Sequence, residues 1–167
     1  MFSINHYCLI VTDLERSLAF YRDVLGMSLR SRVTRTEDIA TAIAHPGITM
    51  HNAILYHADS PHPALELIQY EPAGAKVDLQ IANPGTSHIA FDVADIHAAV
   101  AHLRAHGVPV VSAPVHLEPN PDTGARGGTI AYFSDPDGIS LELYQAPDPQ
   151  AAPPAGQERL GAPGVPG

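Results

Sequence analysis

Four residues of this chain combine reactive side chains with a repeated setting: His6, Glu66, His88 and Glu142. Each histidine opens an apolar stretch, His6-Tyr-Cys-Leu-Ile-Val11 and His88-Ile-Ala-Phe-Asp-Val93. Each glutamate sits between leucines, in Leu65-Glu66-Leu67 and Leu141-Glu142-Leu143. Side chains alternate faces along a strand, so the leucines point one way and leave Glu66 and Glu142 on the opposite, concave face. An ionised carboxylate on an enclosed face is costly unless it is paired or bound to a cation. Imidazole nitrogen beside carboxylate oxygen is a donor set suited to a divalent ion. Taken singly, each residue has a simpler role, as a hydrogen-bonded structural histidine or a solvated glutamate. Recurrence at both ends of two similar segments argues for a shared site.

The segments match over more than these four positions. His6 to Leu14 lies over His88 to Ile96 without a gap, setting Val11 on Val93 and Asp13 on Asp95, and Leu65-Glu-Leu-Ile-Gln69 lies over Leu141-Glu-Leu-Tyr-Gln145. Similarity at so long a period indicates a duplicated supersecondary unit. In the first copy a strand over Tyr7–Val11 leads to Asp13 as N-cap, with Arg16 where a capping box has Glu. Leu14, Leu18, Tyr21 and Leu25 fall at helical spacing, and Gly26 ends the helix. Strands are predicted over 27–35, 48–57 and 64–70, separated by Pro46-Gly47 and Ser60-Pro61. In the second copy a strand over Ser87–Val93 precedes the Asp95 cap, and Ile96, Val100 and Leu103 form a helical stripe up to Gly107. Three strands follow over Val108–Val111, Thr129–Phe133 and Ile139–Tyr144, the last two joined by the turn Asp135-Pro-Asp-Gly138.

The order is therefore βαβββ twice, an α+β fold of two tandem modules forming a cupped mixed sheet. The modules are expected over 1–79 and 87–146, joined by a linker at 80–86 that contains Asn83-Pro84-Gly85. Residues 147–167, rich in Pro, Gly and Ala with almost no periodicity, are expected to form a disordered tail.

Of 167 residues, 45% are apolar and 16% charged, ordinary values for a chain with a packed core. A net charge of −9 with scattered basic residues argues against nucleic acid or an anionic membrane as a partner. Cys8 is the only cysteine, which excludes an internal disulfide and a cysteine-rich zinc site. With no signal-peptide pattern and no apolar run of membrane-spanning length, the cytoplasm is the expected location.

The stretches Asp13-Leu-Glu-Arg-Ser-Leu-Ala-Phe-Tyr-Arg-Asp-Val-Leu-Gly26 and Phe133-Ser-Asp-Pro-Asp-Gly-Ile-Ser-Leu-Glu142, taken with His6, resemble the vicinal oxygen chelate superfamily. This is the group of glyoxalases, bleomycin-resistance proteins and extradiol dioxygenases, and the resemblance spans about residues 4–146. It implies a glyoxalase-like fold whose two modules are related by a pseudo-twofold axis, with one divalent ion (Ni, Co, Mn, Fe, Zn or Mg) between them. His6, Glu66, His88 and Glu142 match the positions that supply ligands in glyoxalase- and epimerase-like members. The implied substrate is a small molecule with vicinal oxygens, and the expected assembly is a homodimer. The implied chemistry is proton abstraction with a metal-stabilised enediolate or enolate, as in lactoylglutathione lyase or methylmalonyl-CoA epimerase. Glu142 and Glu66 are both candidates for the base, and Glu142 is favoured for its place beside a loop that could close. An Fe(II) extradiol dioxygenase using His6, His88 and Glu142 is the first alternative, though Glu66 would fill a position that oxygen or catechol needs. A non-catalytic drug-binding resistance protein is the second.

Three further features have a functional and a plainer reading. Arg30, Arg32 and Arg35 could hold a substrate anion or form a solvated strand face. Among His45, His51, His57 and His62, His51 could line the cup, and surface roles suit the group. Glu118 to Gly128 is expected to be a long loop able to close over substrate.

Overall fold

The computed structural model describes residues 4–57 and 60–147, the side chains of 60–63 excepted. The first module runs β1 (His6–Ile10), α1 (Leu14–Ala19), β2 (Ser28–Arg35), α2 (Glu37–Ala42), β3 (Thr49–His57) and β4 (Ser60–Glu71). The second runs β5 (Ile89–Asp92), α3 (Ile96–Ala105), β6 (Val115–Leu117), β7 (Gly128–Ser134) and β8 (Ser140–Gln145). Each forms its own four-stranded mixed sheet, in the orders β1-β4-β3-β2 and β5-β8-β7-β6. The first and last strands of each module pair in parallel and the others antiparallel. This is the expected duplicated βαβββ architecture. Residues from 148 onward, most of the expected tail, lie outside the described residues.

The duplication extends to local chemistry. Asp13 Oδ1 accepts from the Arg16 amide at 3.0 Å, and Asp95 Oδ1 accepts from the His97 and Ala98 amides at 2.9 and 3.0 Å. These side chains satisfy donors that the first helical turn cannot pair internally. Gln69 and Gln145, equivalent residues, add their carbonyl oxygens to the Leu14 and Ile96 amides, so each last strand is pinned to the helix of its own module. Past each helix, Gly26 and Gly107 sit at φ 73° and 72°, the left-handed region open to glycine. Before Gly26, α1 widens into a π-helical turn over Phe20–Val24.

One core serves both modules. Leu9, Leu65 and Leu67 of the first sheet join Leu141, Leu143 and Phe133 of the second, with Leu14, Leu18 and Tyr21 of the first helical segment and Ile96, Val100 and Leu103 of α3. Burying each such side chain is worth about 1.5–3 kcal/mol. The leucine faces of both sheets therefore turn inward onto the helices, and the faces that carry Glu66 and Glu142 turn away from this core.

A polar latch also ties the modules. Asp137, in the β7–β8 turn, accepts from the Thr12 amide at 3.0 Å, the Thr12 hydroxyl and Arg16 Nη2 at 2.6 Å. Asp135 accepts from the buried Tyr21 hydroxyl at 3.1 Å and from the amides of Asp137 and Ile139. His102 donates Nε2–H to the Val24 carbonyl at 2.9 Å.

Two elements depart from the sequence expectation. The second strand of module two is Val115–Leu117 rather than Val108–Val111, of which Val110 makes a single bridge to Phe133. Val108 is apolar because it enters the core, at 8% exposure, and not because it belongs to a ladder. Helix α2 was not expected: it buries no residue, so it leaves no apolar stripe to read.

Candidate metal centre

The parallel registers place each glutamate next to its histidine. In module one His6 pairs with Ala64 and Cys8 with Glu66, so His6, Cys8 and Glu66 share a face. His6 Nε2 lies 3.3 Å from Glu66 Oε2. In module two Ala90 pairs with Glu142, and His88 Nε2 lies 3.1 Å from Glu142 Oε2. The glutamate side chains are mostly covered, at 15% and 11% exposure, while the histidines are open at 47% and 42%. Each pair thus has a covered carboxylate and an imidazole at the mouth.

The donor chemistry fits a divalent cation. His6 Nδ1 lies 2.9 Å from Asn5 Oδ1, and with Nδ1–H donating there, Nε2 carries the lone pair. That lone pair then faces a carboxylate oxygen, and two acceptors at 3.3 Å need a proton or a cation between them. Donors about 2.0–2.2 Å from a common ion and adjacent in its coordination sphere stand about 2.9–3.5 Å apart, the spacing seen in both pairs.

The two pairs do not meet within one chain. Among the described residues, no third His, Cys, Asp or Glu joins either pair in a grouping able to hold an ion. The leucine faces of both sheets turn onto the helices of one shared core, so each pair lies on the sheet face away from that core.

The surroundings of the pairs differ. Asn52, 7% exposed, donates Nδ2–H to Glu66 Oε1 at 2.6 Å. Tyr132 stands directly across from Glu142 in the β7–β8 register and packs edge-on against His88, with centroids 5.4 Å apart. Burial, a hydrogen bond to Glu142 and the charge of that carboxylate push the Tyr132 phenol up to about 12. Cys8 keeps some contact with solvent, yet desolvation around its thiol and the charge of Glu66 push it up to about 11, so it stays a thiol at neutral pH. Sequence reasoning missed Asn52 and Tyr132. A polar residue at a face-sharing position of an apolar strand was the available signal.

Several of the other candidates find ordinary partners, and Arg30 is exposed. Arg32 pairs with Glu15 on α1, on the helix side of the sheet, and Arg35 pairs with Asp38 at 2.6 Å. His51 lies between Thr34 and Glu71, at 3.0 and 3.5 Å, and His57 packs on Phe91. His45 is exposed, and the side chain of His62 lies outside the described residues. The segment Glu118–Gly128 is a folded turn, bridged between Asn120 and Ala125 and held by the Tyr144 hydroxyl, which donates to the Gly127 carbonyl at 2.7 Å. At Gly128 a Cβ would stand 2.8 Å from the Tyr144 ring, so the base of this turn closes against β8 only with glycine there. No helix among the described residues is long and apolar enough to cross a membrane.

Fold, duplication and paired donors define a glyoxalase-like α+β protein, and comparison with known proteins agrees. Residues 3–143 match the Glyoxalase/Bleomycin resistance protein/Dioxygenase superfamily, and the chain belongs to it. It is 35% identical over 144 residues to a probable lactoylglutathione lyase of Vibrio cholerae, covering 85% of this chain and 89% of that one. It is 30% identical over 149 residues to a 2-epi-5-epi-valiolone epimerase of an Actinomyces species, covering 87% and 80%. The crystal structure of a glyoxalase family protein from Bacillus cereus superposes with a TM-score of 0.75 at 19% identity, covering 89% of this chain and 96% of that one, a likeness of fold.

Proposed function

We propose that this protein is a divalent-metal-dependent lyase or isomerase of the glyoxalase or epimerase type, with His6, Glu66, His88 and Glu142 as the ligands of one ion. The observation that carries the reading is the duplicated His–Glu pair, at 3.3 and 3.1 Å, with carboxylates sunk in the sheet and imidazoles at its mouth. Two pairs turned away from each other cannot serve one ion in a single chain. The site is therefore completed by a second copy, the first module of one protomer facing the second module of its partner. Ile10, Val33, Val115 and Leu117 support this: all lie on the glutamate-bearing faces by register, and all are more than two-fifths exposed in the single chain. A homodimer would cover them.

When bound, the ion would draw electron density from two neighbouring oxygens of a small substrate and make an adjacent C–H more acidic. The chain supplies the rest. Glu142, bordered by Tyr132 and not by a fixed amide, takes the C–H proton at a carboxylate oxygen and returns it at the neighbouring carbon, whereas an epimerisation also needs a proton donor on the opposite face, for which Glu66 is the candidate. Glu66, held by Asn52, keeps its place. The apolar residues around both glutamates limit water at the reacting carbon. Probable lactoylglutathione lyase and 2-epi-5-epi-valiolone epimerase are names carried by relatives at 35% and 30% identity, which supports a lyase or epimerase reading. Cys8 as an unpaired thiol suits a reducing cytoplasm.

The test is anaerobic turnover in deuterated buffer with thiohemiacetals and acyl thioesters, read by mass spectrometry for solvent deuterium at the reacting carbon. Glu142→Gln should lower that exchange by roughly 10²–10⁴ while the metal content stays close to wild type. Wild-type exchange in the variant refutes the base assignment. Oxygen uptake with catechols under Fe(II) replaces the reading with ring cleavage.

A further inference from the structure

The duplication keeps the histidine and the glutamate but exchanges the residues beside them. In the first sheet Ile54 stands across from Glu66, and Asn52 across from Ile68. In the second, Tyr132 stands across from Glu142, and Ile130 across from Tyr144. Laying Glu66 over Glu142 therefore sets Asn52 on Ile130 and Ile54 on Tyr132. Polar and apolar positions have traded places, so the carboxylates meet different donors from different directions.

The Asn52 contact is the more constraining. Its side chain is 7% exposed, and Nδ2 lies 2.6 Å from Glu66 Oε1. An ionised carboxylate can only accept, so the amide must present N–H. Such a bond is charge-assisted, and an amide does not give up its proton at any working pH. Oε1 is thereby held by a fixed donor, and Oε2 is the oxygen beside His6 Nε2. The neighbour of Glu142 is a phenol instead, a hydroxyl that can turn about its C–O bond toward another acceptor.

We infer that Asn52 is the positioning residue of the first half-site: it clamps Glu66 by Oε1, presents Oε2 alone beside His6, and makes Glu66 the anchored carboxylate of the two. The inference rests on the metal-centre reading above and deepens it by distinguishing the two glutamates, which the duplication leaves alike. Outer partners of metal-binding carboxylates commonly govern affinity, and their loss weakens binding by roughly 10–100-fold.

The test uses the full chain with Co(II) alone, following its visible absorption and its affinity by competition with a chelator, alongside melting of the metal-free protein. Asn52→Leu removes the donor at similar volume and should weaken Co(II) by roughly 10–100-fold and alter the absorption. Asn52→Ser, which keeps a shorter donor, should lose less, and it carries the measurement should the leucine variant fail to fold. Tyr132→Phe, which removes a donor free to turn away from Glu142, should weaken Co(II) clearly less than Asn52→Leu. A merely structural Asn52 would lower the melting temperature and leave the affinity and spectrum of the folded protein unchanged, and that result overturns the inference. Equal losses in Tyr132→Phe overturn the asymmetry. Wild-type protein that binds no Co(II) removes the metal-centre reading itself, a failure distinct from that of Asn52.

Discussion

Mixing two defective variants tests whether one chain or two build the site. His6→Ala disables the first half-site and His88→Ala the second, and each variant alone should lose retained metal, since every complete site needs both histidines. In a twofold dimer with shared sites, a mixed pair has one site drawing His6 and His88 from intact modules and one site lacking both. Random reassortment makes half of the dimers mixed, so about a quarter of the wild-type sites should return. The magnitude follows from the structure, because the leucine faces of both sheets enter one core and the two pairs point away from each other. The assay is unfolding and joint refolding of the variants, native mass spectrometry to confirm mixed dimers, and elemental analysis after desalting. Sites closed within one chain give no recovery in any mixture. Confirmed mixed dimers without recovered metal would refute the shared site, and full metal in either parent would refute the ligand set.

The inter-module latch yields two further expectations. Asp137→Ala removes an acceptor that serves the Thr12 amide, the Thr12 hydroxyl and Arg16, and with Arg16 free to rehydrate it should cost about 2–4 kcal/mol. That corresponds to a fall of about 5–15 °C in melting temperature, read by differential scanning calorimetry, and an unchanged midpoint would show that the latch contributes nothing. The second concerns acid. Burial alone would raise the Asp137 carboxyl, but the Thr12 hydroxyl and amide and the Arg16 guanidinium hold it below the usual range. A depressed carboxylate contributes stability that is present above its unfolded value of about 3.9 and is lost as pH falls through the folded value. The wild-type melting temperature should therefore drop more steeply than that of Asp137→Ala below about pH 4, and parallel acid limbs would refute the linkage.

Much of the fold was legible because local chemistry and hydrophobic pattern agreed. Asp13 and Asp95 cap helices that Gly26 and Gly107 end, and the leucines flanking Glu66 and Glu142 enter the core as alternation requires. What escaped depended on pairing partners distant in sequence. Val108–Val111 has the apolar look of a strand, yet β7 takes its ladder partners from Val115–Leu117. Asp135 and Asp137 read as turn residues, and only the packed chain shows them holding Tyr21, Thr12 and Arg16. The recurrence of a histidine and a glutamate in each module was legible from the repeat, whereas their closeness, and the places of Asn52 and Tyr132, needed the strand register. The separation of the two pairs also lay beyond the sequence, because the same repeat suits modules that share a cup within one chain or across two.

On the proposed reading, this separation couples assembly to chemistry. Each chain builds its shared core by turning the leucines inward, while the glutamate faces keep Ile10, Val33, Val115 and Leu117 in solvent. On the proposed reading, one half-site offers an ion two protein donors and the closed dimer offers four. An ion that binds the dimer better than the monomer must stabilise the dimer by the same factor, since the coupling is reciprocal. Divalent metal should thus lower the concentration at which chains pair, and pairing should raise affinity for the metal. Asn52 then acts before closure: by fixing Glu66 in the open chain, it presents one half-site already shaped, and the partner module has only to bring His88 and Glu142 to it.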